Sequence, residues 1–226
     1  MTQAPDRDTF SQLYDSATAR YRDGEERLPG REDPDERQRQ LTRLGNAAWA
    51  AGLSLLMEGQ DEQAREWLRR AAARYRESWD AGAPPDAWGR PIAATKALLL
   101  AGEDAAEAAR WALAAGADAA SPVGRYAAAL ALLVLGRDED AAVQAEALRG
   151  RDDFPGAVAA SLAALAAGDG AAYAAAVGDV LRSFEQRDEF LEDVPVADTC
   201  LVLERLAAAR GLAAGLRPSP RLPAIG

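Results

Sequence analysis

The sequence predicts an all-α protein built as a stack of helical hairpins, and two observations lead to this prediction. Alanine, the best helix former and a poor strand former, occurs 55 times among the 226 residues. In addition, four segments each run from an apolar stretch through a glycine and an acidic residue into an alanine-rich stretch. Their glycines, spaced by 43, 34 and 32 residues, are Gly59, Gly102, Gly136 and Gly168. Spacings near 34 residues indicate pairs of helices that stack side by side.

Each repeat is punctuated by the same turn chemistry. Glycine suits the position after a helix because it adopts the left-handed conformation without a steric penalty, and an aspartate just beyond it can cap the next helix. The first interval is 11 residues longer than the third. Residues 80–91 hold the prolines and glycines that cannot continue a helix, so we expect an inserted loop there.

The elements outside the repeats follow from the spacing of apolar residues and prolines. We predict one all-helical repeat domain over residues 1–226, with about nine helices and with hairpin repeats over residues 37–182. Residues 8–36 are expected to form an N-terminal capping helix and a linker. Residues 183–226 are expected to form a C-terminal helix and an extended tail that lies along the last helices. The N-terminal helix is indicated by the helical spacing of Phe10, Leu13, Tyr14, Ala17 and Tyr21.

The first repeat combines small and large residues at a spacing that the later repeats keep less completely. Its pattern consists of Gly52, Leu55, Gly59, Ala64, Leu68 and Ala71, with Trp49 shortly before them. The small residues let the two helices approach closely, and the leucines fill the groove between them. Over residues 41–182 the chain therefore resembles the tetratricopeptide family, although Glu107 and Tyr173 replace small residues in the second and fourth repeats. The resemblance implies a helical-hairpin solenoid that binds partners.

The C-terminal part carries a second pattern. A long helix with charged residues at 172–191 is followed by a loop at 193–195, an apolar helix that ends in Arg210 and Gly211, and an extended segment at 221–223. This order resembles the all-helical immunity proteins of bacterial polymorphic-toxin systems. The resemblance implies that the partner is a toxin, which the chain neutralises.

The composition excludes most common catalytic chemistry. Histidine is absent and Cys200 is the only cysteine, which removes histidine general bases, Cys–His nucleophile pairs, zinc sites and disulfides. The formal net charge is −10, so nucleic acid should be repelled. No apolar run approaches the ~18 residues of a membrane span, and the N-terminus has no apolar targeting segment. We expect a cytoplasmic, non-enzymatic protein that needs no cofactor.

A first group of candidate binding residues lies around the inserted loop. It consists of Trp79, Trp88, Arg90 and, one hairpin later, Tyr126. Tryptophan and arginine are enriched at binding hot spots, and loops between rigid elements often recognise partners. The same residues could instead hold the loop against the core, so both interpretations stay open.

A second group is a row of carboxylates near the C-terminus. The row recurs at helical spacing and consists of Glu185, Asp188, Glu189, Glu192 and Asp193. On one helix face these oxygens could hold Mg²⁺ or Ca²⁺, or the row could be a solvated face. Because no second carboxylate helix stands opposite in the sequence, we expect no tight metal site. The residues taken as candidates for partner contact are Glu185, Asp188, Glu189 and Glu192.

These observations predict a protein-interaction or scaffold module whose partner is another protein with a basic surface. One alternative is an immunity protein that neutralises a cognate toxin. Another, from a different class, is a carboxylate-dependent enzyme that uses a metal. Neither nucleic acid nor a membrane is expected as a partner.

Overall fold

The computed structural model describes residues 7–119 and 121–224, and across these residues the secondary structure is helical, without a strand. Ten α-helices follow one another in the described part, one more than expected: α1 (Arg7–Arg27), α2 (Pro34–Glu58), α3 (Asp61–Asp80), α4 (Gly89–Ala101), α5 (Ala106–Ala114), α6 (Pro122–Val134), α7 (Asp138–Glu146), α8 (Gly156–Ala167), α9 (Gly170–Gln186) and α10 (Asp198–Ala208). None of these helices is both long and apolar enough to cross a bilayer. The remaining parts of the predicted range 1–226 lie outside the described residues.

The helices pair into four hairpins, α2/α3, α4/α5, α6/α7 and α8/α9, and each hairpin packs on the next. Within the described residues, the first helices of neighbouring hairpins also pack on each other, α4 on α6 and α6 on α8, more extensively than the second helices do. This asymmetry curves the stack, so the first helices line an inner face. At the start of the stack, α1 packs on α2. The predicted all-α stack of hairpins is therefore confirmed.

The C-terminal segment, residues 187–224, covers this inner face. The short 3-10 helix Leu191–Asp193 packs on α2, and α10 packs on α4 and α8. Just after α10, the Arg210 guanidinium donates to the Leu133 carbonyl oxygen in α6 (2.7 Å) and to the Asp138 carboxylate. The segment thus contacts the first helix of every hairpin. The buried residues of α10 are Cys200, Val202, Leu203, Leu206 and Ala207.

The tail after α10 lies along α9, as the sequence predicts. Arg217 and the Ser219 hydroxyl both bind the Glu185 carboxylate near the end of α9, the hydroxyl at 2.7 Å. The Ala197 N–H, just before α10, donates to the Arg221 carbonyl oxygen at 2.8 Å. These contacts fix the tail against the end of α9 and the start of α10.

The two ends of the described chain meet beside this tail. They enclose an apolar groove of about 1100 Å³, whose apolar lining includes Phe10, Met57, Leu201, Leu216 and Leu222. Phe10 belongs to α1 and Met57 to the end of α2, whereas the other three come from α10 and the tail. The first two helices, α10 and the tail therefore line one groove.

Two helix boundaries differ from the sequence pattern. The prediction of one helix over 172–191 is wrong at its C-terminal end, because Arg187 has an extended backbone (φ −91°, ψ 150°). The chain then turns, and Phe190 packs beside Phe184 with 6.3 Å between the ring centroids. The inserted loop is also shorter than predicted, because α4 already begins at Gly89. Pro91 lies in its first turn, where a proline needs no N–H partner.

The four turn glycines end their hairpin helices as predicted. Their φ values lie between 66° and 75°, in the left-handed region that glycine enters without a steric penalty. An acidic cap forms at one of the four turns, where Asp169 accepts from the Ala172 N–H (3.0 Å); at α5, Asp104 lies one residue before the N-cap and accepts from the Ala106 N–H (2.8 Å). At the start of α3 and α7 no side chain caps the helix, but acidic residues of the first turn still face the positive end of the helix dipole.

The first hairpin depends on a close approach at Gly52. A β-carbon at this position would lie 2.7 Å from the Leu68 Cγ and 3.4 Å from the Ala64 carbonyl oxygen. Ala64, on the facing helix α3, is fully buried. Small residues at these two positions therefore let α2 and α3 pack closely, as the sequence pattern indicates.

Replacing Ala64 with arginine tests this contact. Ala64→Arg should lower the free energy of unfolding by about 3 kcal/mol or more, because a long cation has neither room nor a partner between α2 and α3. Ala73→Arg is the matched control, since Ala73 lies on the same helix and is exposed. The control should change stability by about 0.5 kcal/mol or less in urea melts. Equal losses in both variants would contradict the close packing.

Candidate functional site

Three tryptophans meet beside the loop between α3 and α4. Trp79 lies against Trp88, with 6.0 Å between ring centroids, and meets Trp111 edge-on at 5.6 Å. Trp88 is only 4% exposed and packs with Ala127 and Ala128 of α6. Two of the predicted binding residues thus form an aromatic group that holds the loop on the hairpins. Their role in binding a partner stays a prediction.

Arg90, in the first turn of α4, reaches toward α2 and α3. Its Nε donates to the Ser78 hydroxyl at 2.8 Å, and a second nitrogen donates to the Gln38 side-chain oxygen. Both partners are buried and neutral, and burial lowers the pKa of Arg90. The guanidinium therefore ties the start of α4 to the first hairpin.

Tyr126 has different neighbours. Among the described rings it pairs with Phe154, at 5.6 Å between centroids, and not with the tryptophans. Burial raises the pKa of Tyr126, while the charge of Lys96 lowers it and that of Asp198 raises it. The structure thus does not place all four residues of the predicted aromatic group at one site.

The predicted row of carboxylates does not exist on one helix face. Because α9 ends one residue after Glu185, the others lie beyond the helix. Arg217 and Ser219 bind Glu185, and although its partial burial opposes them, these contacts hold the pKa of Glu185 below its usual value. Asp188 and Glu189 are exposed. In the described part of the chain, no group of three or more histidine, cysteine, aspartate or glutamate side chains is arranged to hold a metal ion.

Glu192 connects the C-terminal segment to the first two helices. Its carboxylate accepts from the Asn46 amide (3.1 Å) and pairs with Arg20, while Asn46 accepts from the Tyr75 hydroxyl (2.8 Å). Glu192 and Asp193 both have left-handed backbones, with φ of 56° and 60°. This conformation costs a non-glycine residue about 1 kcal/mol or more. The contacts of Glu192 must therefore outweigh the strain of the turn.

Lys96 forms an enclosed ion pair at the inner face. It is 9% exposed, and its Nζ donates to the Asp198 carboxylate and, at 3.3 Å, to the Thr199 hydroxyl. The Nζ also lies 5.7 Å from the Trp49 ring centroid. Burial alone would lower the pKa of Lys96, but the charge of Asp198, the hydrogen bond to it and the neighbouring Tyr126 together outweigh the burial, so the pKa is raised. Sequence reasoning missed this pair; its one signal is that Lys96 is the only lysine among 26 basic residues.

Unbalanced charge is concentrated on one edge of the stack. The turns within hairpins share this edge because the hairpins stack in one orientation, and Arg69 of α3 reaches Glu103 in the next turn at 2.7 Å. These turns carry ten carboxylates and one arginine, whereas the loops between hairpins, at the opposite edge, carry five carboxylates and four arginines. The acidic edge consists of residues 58–62, 102–107, 136–140 and 168–170. The opposite edge consists of residues 80–90, 115–119, 121–125 and 147–155.

The Lys96–Asp198 pair should contribute far more to stability than a surface pair. Lys96→Met should cost about 3 kcal/mol in urea melts, because it leaves the Asp198 carboxylate partly enclosed and unpaired. Arg149→Met, which removes an exposed pair with Glu146, should cost about 0.5 kcal/mol or less. Folding raises the pKa of Lys96. The loss of unfolding free energy in Lys96→Met, relative to wild type, should therefore have its complete value below the ordinary lysine pKa of 10.5 and become smaller at higher pH. A difference that instead grew with rising pH would contradict the pair.

No protein-family model, curated protein or solved structure matches this chain. What the chain does is therefore inferred from its own surfaces, charges and contacts.

Proposed function

We propose that the chain is a protein-interaction module whose partner has a basic surface. The observation that carries the proposal is the acidic edge, where only three of the ten carboxylates pair with an arginine among the described residues, Arg69, Arg137 or Arg210. Most of these carboxylates are exposed. A field of one sign on one side of a protein steers an oppositely charged partner and speeds its association. The nearly balanced opposite edge gives this field a direction.

The covered inner face supports a partner site at the edge. A curved stack of helical hairpins often binds through its concave surface. In this chain α10 packs on α4 and α8 there, and the 3-10 helix before it packs on α2. A peptide could enter only by displacing the Lys96–Asp198 ion pair and the buried side chains of α10. With the inner face covered, a partner must bind elsewhere on the molecule, and the acidic edge is where negative charge is most concentrated.

An immunity protein that neutralises a toxin is a special case of this proposal. The contacts of its C-terminal pattern favour it as the second candidate, because Arg210 binds the turn between α6 and α7 and the tail binds Ala197 through Arg221. In that case the partner would be a basic toxin domain. The alternative of a carboxylate-dependent enzyme has no support from the contacts, since Glu185 and Glu192 each pair with an arginine in a different part of the molecule.

Neutralising the acidic edge tests the proposal. The edge variant replaces three exposed carboxylates that have no ion pair among the described residues, by Glu62→Gln, Glu107→Gln and Glu139→Gln. Tagged protein would be used to capture partners from its native lysate at low salt. We expect a partner that wild type captures and the edge variant captures at least about tenfold less, because each lost charge weakens steering and contact. Raising the salt concentration should release the same partner.

The matched control changes the net charge by the same amount at the opposite edge. It replaces three exposed carboxylates there, by Asp86→Asn, Asp118→Asn and Asp152→Asn. This variant should capture the partner as wild type does. Equal capture by both variants, or a partner that salt does not release, would contradict binding through the acidic edge.

A further inference from the structure

Three contacts fix Arg221 in place along the tail. Its N–H donates to the Ser219 hydroxyl at 3.2 Å, and its carbonyl oxygen accepts from the Ala197 N–H at 2.8 Å. Its guanidinium lies over the Phe190 ring, 4.8 Å from the centroid. The residue is only 8% exposed. The backbone of Arg221 is therefore fixed by two hydrogen bonds, and its side chain is enclosed beside the Phe190 ring.

The Arg221 guanidinium has no ion pair of its own among the described residues, although its charge helps to lower the pKa of Glu185. Lys96 pairs with Asp198, and Arg210 pairs with Asp138. Within the described residues the Arg221 side chain has neither an ion pair nor a hydrogen bond. A charge taken largely out of water costs free energy unless it is paired, and enclosed charges in proteins are as a rule paired. Arg221 is thus a preformed cation that no carboxylate of the described residues binds directly.

The Glu185 carboxylate, whose pKa the Arg221 charge affects, is already bound by other residues, and the Arg221 guanidinium is not fully sealed from solvent. Arg217 and Ser219 bind the Glu185 oxygens. The side-chain nitrogens that are enclosed from solvent and unpartnered belong to Trp111 and Arg210. The Arg221 guanidinium is not among them, so it keeps some contact with solvent although the residue is only 8% exposed.

A second guanidinium flanks the same ring. Arg187 lies 3.7 Å from the Phe184 ring centroid and 5.9 Å from that of Phe190. It makes only long hydrogen bonds to Ser183, at 3.4 and 3.5 Å, and no ion pair within the described residues. Two cations without a carboxylate partner thus flank the Phe190 ring.

We propose that Arg221, with Arg187 beside it, binds a single aspartate or glutamate side chain of the partner. This inference rests on the proposed interaction function and requires a partner that reaches from the acidic edge, where α9 begins, to Arg221 beyond the other end of α9. The planar arginine fork matches the two oxygens of a carboxylate. A phosphate dianion or a nucleic acid fits less well, because Asp188 and Glu189 follow Arg187 directly and the net charge of the chain is −10.

An acetate titration tests the site without the partner. The probe is sodium acetate at constant ionic strength, and the signals are the Nε–Hε resonances of the arginine side chains in NMR spectra. The Arg221 resonance, assigned by its loss in Arg221→Lys, should shift and saturate. The resonance of Arg22, an exposed residue without an ion pair among the described residues, should shift weakly and linearly. A shift at Arg221 no larger than at Arg22 would overturn the proposal.

Variants in the complex give a second, independent test. Arg221→Gln should weaken binding of the captured partner by about tenfold or more, the loss expected for one charged hydrogen bond. Arg22→Gln, with the same change in charge, should leave the affinity unchanged. Affinities are compared below the melting transition of each variant, so a loss of stability does not count as a loss of binding. Equal affinities for both variants would overturn the Arg221 site and leave the interaction function standing. If no partner is captured, the interaction function fails, and the acetate titration still decides whether Arg221 binds a carboxylate.

Discussion

The contact between the C-terminal segment and the first helices of the hairpins sets the arrangement of the rest of the structure. A curved stack leaves the first helices with an apolar inner face that must be covered. In this chain α10 covers it with side chains such as Leu203 and Leu206, and the Lys96–Asp198 pair lies between α4 and α10. Removing this segment would expose apolar surface and leave Lys96 without its counter-charge, which makes the segment part of the core.

The cover that the C-terminal segment forms over the inner face also determines where a partner can bind. With the inner face covered, recognition moves to surfaces that the fold produces for other reasons. Acidic residues follow each turn glycine because they stabilise the start of the second helix of the hairpin. Because every such turn lies at one edge, the acidic residues that stabilise the helix starts also make this edge strongly negative. Fold and proposed function therefore draw on the same residues.

Much of the fold could be predicted from local patterns in the sequence. The features that depend on contacts between distant residues could not. The hairpins followed from alanine and glycine, whose effects act within a few residues. The carboxylates after Glu185 keep helical spacing, and the segment 186–193 contains no proline or glycine. No residue in this segment therefore signals the end of α9. The end is set instead by Phe190 packing beside Phe184 and by Glu192 binding Arg20, 172 positions earlier. The partner of Lys96, 102 positions away, is equally invisible to a local pattern.

Hydrogen exchange of the native full chain tests the central claim, that the C-terminal segment belongs to the core. The amides of α10 should exchange as slowly as those of α4 and α8, and only through global unfolding, so that their opening free energies match and change equally with urea. If α10 instead exchanged at a much lower free energy than α4 and α8, with little dependence on urea, the segment would open on its own. The inner face would then be accessible to a partner, which would contradict both the place of α10 in the core and the exclusion of a partner from the inner face.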